Sequence, residues 1–230
     1  MADASPLLFI LVRFALASVL LLFLFGRRTA LWDAGLARAG AVAGFFLAAG
    51  YAFQTTGLQY TTPAKSAFIT ALSVALVPLL VVLVFRHRLR AWTVAGVAAA
   101  AGGLYFLTVP PGELTIARGD LLTFFCALAF AGHIVAVGHF APRLSVSGLI
   151  IWQVVAALGW TAMATPLLVG MGLEEVKWVW TPRLALALVV TAALATALAF
   201  SLQTWAQRLT SSTHTAIIFS LEPVFAALTS

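Results

Sequence analysis

Apolar residues run along this chain in long blocks divided by short polar punctuation. Eight blocks stand out, at 6–25, 39–58, 66–85, 91–109, 121–140, 146–169, 184–207 and 212–230. Each comes close to the roughly 20 residues that an α-helix needs to cross ~30 Å of hydrocarbon. Barrel strands are excluded, because they run to about 10 residues and alternate in polarity. A backbone group without a partner is costly in lipid, so each block reads as a spanning helix. The punctuation agrees: Arg27-Arg28 follows the first block, and Arg86, His87, Arg88 and Arg90 separate the third from the fourth. Pro110-Pro111-Gly112 stops the fourth, Pro142 stops the fifth, and Pro182 precedes the seventh. Trp32, Trp92, Trp178 and Trp180 sit at block ends, where an indole suits the headgroup layer.

Composition removes the alternatives. The chain is 63% hydrophobic and 9% charged, with mean hydropathy +1.07, against roughly 45–50% and about 25% in soluble domains. Too little charge is present to cover a water-facing surface, and too much apolar residue for disorder. The net charge of +6 comes from thirteen basic residues that form no dense run, which argues against nucleic acid as a partner. They lie between the apolar blocks and act as topology signals. Arg27, Arg28, Arg38, Arg86, Arg88, Arg90, Arg143 and Arg208 fall in one set of connections; Lys65, Arg118, Lys177 and Arg183 fall in the other. The positive-inside rule puts the first set in the cytoplasm and the N-terminus outside. A single cysteine, Cys126, leaves no intrachain disulfide and no cysteine-based zinc site; no metal or cofactor is expected.

An internal repeat sets the architecture. At a shift of 140, the Leu7–Phe14 stretch aligns with Ser147–Val154, and a long polar side chain, Arg13 or Gln153, interrupts each. At a shift of 149, Gln54-Thr55 aligns with Gln203-Thr204, Thr61 with Thr210 and Ala67 with Ala216. The first three blocks therefore pair with the last three, and the fourth and fifth are left unpaired. That pattern implies a five-helix unit, here showing four helices of each copy, over 1–112 and 113–230. An odd-numbered unit turns its second copy upside down, an arrangement characteristic of secondary transporters. The expected fold is all-α: a polytopic membrane bundle of eight helices from a ten-helix inverted-repeat parent.

Four stretches carry a family likeness. They are Val12-Arg13-Phe14; the run from Gly57 through Thr62-Pro63-Ala64-Lys65 to Thr70, leading to Val77-Pro78; Gly119-Asp120-Leu121-Leu122; and Ser220-Leu221-Glu222-Pro223-Val224-Phe225. In order and spacing the chain resembles the drug/metabolite transporter superfamily, in its EamA-type branch. The resemblance implies ten helices in two inverted repeats, of which the first and last are missing here. It implies export or uptake of small metabolites and leaves the substrate open.

Ionisable groups at membrane depth usually face a cavity or a partner. Arg13 offers a fixed fork of donors for a carboxylate or phosphate, or else a snorkelling or structural cation. Gln153, its repeat mate, offers a neutral donor and acceptor. Glu222, directly before Pro223, is the candidate proton carrier. His133 is a candidate for substrate binding, or for a satisfied interhelical bond. Gln54 and Gln203 are candidate gate residues or interhelical hydrogen-bonding partners, while Trp152 and Trp205 are candidates for packing between helices or for stacking on an organic substrate. Pro78 is expected to kink the third helix. The small residues Gly96, Ala100, Gly102 and Gly103 read as a close-packing stripe on the fourth. The leading function is a secondary transporter, exporter or permease, for a small organic metabolite in the inner or plasma membrane. The bilayer and the substrate are its partners, and a homodimer is the assembly considered. The alternatives are a non-transporting fragment and a membrane-embedded enzyme. An enzyme is not expected, because neither His-Glu-x-x-His nor Gly-x-Ser-x-Gly occurs.

Overall fold

The computed structural model describes residues 3–29, 33–86, 91–108, 117–172 and 174–221. Ten α-helices follow one another with no strand among these residues. They are α1 (Pro6–Phe25), α2 (Ala34–Gly57), α3 (Pro63–Ala71), α4 (Ser73–Phe85), α5 (Ala91–Thr108), α6 (Arg118–Phe140), α7 (Val146–Gly170), α8 (Pro182–Ala192), α9 (Ala199–Gln207) and α10 (Ser212–Phe219). Helices α8 and α9 are joined through a π-helical turn, Ala193–Leu198, into one bent rod. Six segments of described residues are long and apolar enough to cross a bilayer: Pro6–Phe25, Ala34–Gly57, Lys65–Phe85, Arg118–Phe140, Val146–Gly170 and Pro182–Gln207. α5 falls on the fourth expected block, and α10 is the described start of the eighth.

Helix starts follow from local chemistry. Asp33 accepts the amides of Gly35 and Leu36 at 2.6 and 3.1 Å, starting α2 five residues ahead of the apolar block. Thr62 and Ser211, 149 residues apart, cap α3 and α10 by accepting the amides of Lys65 and His214. Asp120 accepts the Ala117 amide at 2.8 Å and also the Thr61 hydroxyl, which pins the start of α6 to the α2–α3 turn. The third block breaks at Leu72, not at Pro78: the Leu72 amide turns back to Phe68 and Ile69, and α4 restarts from Leu72. Pro78 lies inside α4. Helix α10 ends comparably, with the Ser220 amide bonded back to Ala216 and Ile217.

The packing is that of a membrane protein. Phe23 is 83% and Leu83 76% exposed on outer helix faces, whereas Arg13, His133, Gln153 and Gln207 are buried. Water would penalise that exposed apolar surface, and lipid accepts it. The core centres on α2, which packs against both α6 and α7. Gly40 and Gly44 set the α2–α7 crossing: a Cβ on Gly40 would lie 2.4 Å from Trp152 Cβ, and one on Gly44 2.6 Å from the Gln153 carbonyl oxygen. On the stripe expected on α5, by contrast, a Cβ on Gly96 would meet only Ile217 at 3.9 Å among the described residues, and one on Gly102 nothing within 4 Å.

Contacts assign the connections to two ends of the bundle. At one end the Thr29 and Ser147 hydroxyls lie 2.9 Å apart, and Phe85 stacks on His139 at 5.1 Å. Ser212 there reaches the Ile134 carbonyl. At the other end the Ser5 amide bonds the Lys177 carbonyl, the Val179 amide bonds Asp3, and Gly119 packs on the α2–α3 turn. The two capped turns, α2–α3 and α9–α10, thus meet opposite ends of α6.

Candidate functional site

Polar side chains collect along one seam through the interior, where α1, α2, α6, α7 and the α8–α9 rod converge. Arg13, two turns into α1, is 7% exposed. Its Nε donates to Thr196 Oγ1 at 2.6 Å, and its Nη2 donates to the Tyr51 hydroxyl at 2.8 Å and the Ala195 carbonyl at 3.1 Å. The guanidinium also lies 4.3 Å from the Tyr51 ring centroid, within cation–π range. Ala195 and Thr196 belong to the π turn, a distortion that recurs at functional sites. Thr196 accepts from Arg13 and passes its own hydroxyl proton back to the Thr191 carbonyl at 2.9 Å. Among the described residues no carboxylate pairs with Arg13, and its Nη1 has no hydrogen-bond partner. The charge is held by dipoles and a ring face, an arrangement that leaves donors for an anionic guest.

Aromatic rings separate this cation from a neutral polar group. Tyr51 meets Phe14, Phe130 and Phe200 edge-on, with centroids 5.7, 5.4 and 6.4 Å away. His133 sits edge-on to Phe200 at 5.4 Å. Beyond these rings Gln153, fully buried, bridges His133 Nε2 at 3.0 Å and Thr204 Oγ1 at 2.9 Å. The bonding directions are determined by Thr204. Its hydroxyl proton goes to the Phe200 carbonyl, so its oxygen must accept from the Gln153 amide nitrogen. The Gln153 oxygen then faces His133, whose Nε2 must carry the proton. One turn further along α9, Gln203 donates to Gln207 at 3.0 Å, and Gln207 donates to the Ile134 carbonyl at 2.8 Å.

The structure brings Arg13, His133, Gln153 and Gln203 onto this seam. Gln54 is half-buried on the last turns of α2, toward the opposite bundle end from Gln203. Trp152 is half-buried and packs against the cluster of Leu36, Ala39 and Ala43. Trp205 is 58% exposed and lines a cleft at the end that carries Ser145 and Arg208. Glu222 and Pro223 lie outside the described residues. Four seam residues were not singled out from the sequence: Tyr51, Thr196, Thr204 and Gln207. The first three are hydroxyl groups inside apolar blocks, a weak signal, because Thr and Ser commonly bond to their own helix. Thr204 had the better signal, because it aligns with Thr55 at a shift of 149; both hydroxyls return to the carbonyl four residues back. Among the described residues no three His, Cys, Asp or Glu side chains converge as metal ligands would.

Comparison with known proteins accords with this architecture. A protein of known crystal structure superposes with a TM-score of 0.77 over 97% of this chain and 77% of its own, at 20% identity, a likeness of fold. An uncharacterized transporter of Archaeoglobus fulgidus is 36% identical over 225 residues, which span 97% of this chain and 68% of the relative. The EamA-like transporter family matches residues 1–109 and 117–230. With a lipid-facing helical bundle around a polar seam, the chain is a multi-pass membrane protein that belongs to the EamA-like transporter family.

Proposed function

We propose that this protein is a secondary transporter that carries a small organic metabolite across the cell membrane by alternating access, as an exporter or permease. Its two halves, 1–112 and 113–230, would be inverted copies that rock about the seam between Arg13 and Gln153. The observation that carries the reading is the seam itself. A buried cation whose Nη1 has no hydrogen-bond partner among the described residues lies in the same interior as a bonded His–Gln–Thr chain, inside a bundle whose outside is apolar. Burying such groups is expensive, and transporters concentrate them on substrate pathways. Support for inversion comes from the two capped turns, 149 residues apart and at opposite ends of α6, each leading into a helix that stops within nine residues. Interrupted helices near mid-depth suit substrate and ion sites.

In this reading Arg13 ties α1 to the π turn. When that contact opens, substrate acceptors replace Thr196 and Ala195, so the cation is never left unpartnered. Glu222 is the proposed proton carrier, and the basic ends at Arg27, Arg86, Arg143 and Arg208 face the cytoplasm. The test is counterflow of a metabolite panel in proteoliposomes. The expected result is saturable exchange that falls about tenfold or more in Arg13→Ala, through loss of charge-assisted bonds. In Glu222→Gln, exchange persists while pH-driven accumulation is lost. Wild-type protein that moves no metabolite, with or without an ion gradient, overturns the proposal.

A further inference from the structure

A cleft of about 690 Å³ opens at the bundle end where α1 finishes, α7 begins and α9 finishes. That volume suits a small organic molecule. Ser201, Trp205 and Arg208 line one wall, spaced four and three apart so that they share a face of α9. Ser145 and Ser147, from the start of α7, line the other, and Phe25 closes the apolar side. Among the described residues the lining thus combines an exposed guanidinium, an exposed indole and three hydroxyls, with no acidic side chain. The positive end of the 25-residue helix α7 adds to the same potential. Asp33, the described acid at this end, is engaged by the amides that start α2. Ser201 and Ile150, both on the lining, lie one helical turn from Thr204 and Gln153, the bonded pair inside the bundle.

We infer that this cleft is an anion-selective vestibule, the entry site for a substrate that carries a carboxylate or phosphate on an apolar or aromatic body. Arg208 binds the anion, Trp205 stacks on the body, and the Ser145 and Ser147 hydroxyls donate to remaining oxygens, the Ser201 proton being committed to the Ala197 carbonyl. The inference rests on the transporter reading above and narrows it to organic anions. An anionic lipid headgroup presents the same phosphate chemistry, so the test separates the two sources.

Intact protein in phosphatidylcholine nanodiscs is titrated with benzoate and with its uncharged isostere benzamide, followed by saturation-transfer NMR. Parallel nanodiscs that include phosphatidylglycerol are assayed for retained lipid by native mass spectrometry. The expected result is saturable benzoate binding, with benzamide weaker by about tenfold. Arg208→Gln weakens benzoate by about the same factor, Trp205→Leu weakens it too, and added salt weakens it progressively. Both substituted side chains are exposed, so the variants keep the fold. Benzoate binding that ignores Arg208 overturns the inference. So does retention of phosphatidylglycerol that depends on Arg208 without benzoate binding, since the cleft then holds lipid. Arg208-dependent benzoate binding by a protein that transports nothing would sink the transport reading and leave the anion site standing. Transport that persists with no such binding does the reverse.

Discussion

Replacing Gly44 by alanine adds one methyl group where two helix backbones touch. The new Cβ would lie 2.6 Å from the Gln153 carbonyl oxygen, 2.7 Å from Ala156 Cβ and 2.7 Å from the Ala157 nitrogen. Ordinary contact begins near 3.4 Å, so α7 must retreat by about 0.8 Å. Two of the three obstacles are main-chain atoms, which cannot swing aside. Overpacking of this kind costs about 1–3 kcal/mol, and the better helix propensity of alanine returns about 1 kcal/mol. The net loss is therefore about 0–2 kcal/mol, a fall of up to several degrees in Tm. The displaced backbone is that of Gln153 itself. Its bonds to His133 and Thr204, now 3.0 and 2.9 Å, would stretch beyond hydrogen-bonding range. Thermal unfolding in detergent reads the first effect and proteoliposome exchange the second. Gly102→Ala is the matched control: among the described residues nothing lies within 4 Å, so propensity acts, and stability should rise by up to about 1 kcal/mol. Should both substitutions move Tm in the same direction, the close approach of α2 to α7 is not what organises this core.

Gln153→Leu keeps the volume but strands the His133 Nε2–H, at a cost of about 1–3 kcal/mol in thermal unfolding. Adding His133→Phe removes the stranded donor and should recover most of that loss; strictly additive losses would refute the pairing. Glu174, in the α7–α8 connection, accepts the Leu7 amide at 2.7 Å where α1 begins. Partial burial raises its carboxyl above the ordinary range, with the Leu7 bond pulling the other way. A raised folded-state pKa means docking of this connection is strongest in acid and weakens as pH rises through that pKa. Hydrogen exchange at Leu7, corrected for intrinsic rate, should show less opening near about pH 4 than near about pH 7, and Glu174→Gln should flatten the difference. More opening in acid would contradict this sign.

The rest of the seam marks where sequence reasoning fell short. Hydrophobic block length located the spans, because a membrane imposes the same length on each helix. It was blind to the interruptions at Leu72 and in Ala193–Leu198, since neither contains Gly or Pro. A break inside an apolar block is settled by what meets it, here the Arg13 donors at Ala195 and Thr196. How close two helices come is settled in the same way. Gly40-Ala41-Val42-Ala43-Gly44 and the small residues of α5 look alike on paper, yet Gly40 and Gly44 meet main-chain atoms of α7 within 3 Å, whereas Gly96 and Gly102 meet none within 4 Å among the described residues.

By itself the sequence determined that the solvent is lipid, that the elements are helices, which positions carry polar groups, and which family likeness their order bears. These follow from composition and spacing, which no neighbour can alter. Tertiary structure decided which polar groups meet. Arg13 and Gln153 align in the sequence at a shift of 140, yet one meets a π turn and a tyrosine while the other meets a histidine and a threonine. The reason is that a buried polar group takes its role from the partner within about 3 Å. In a helical bundle that partner comes from another span, far away along the chain.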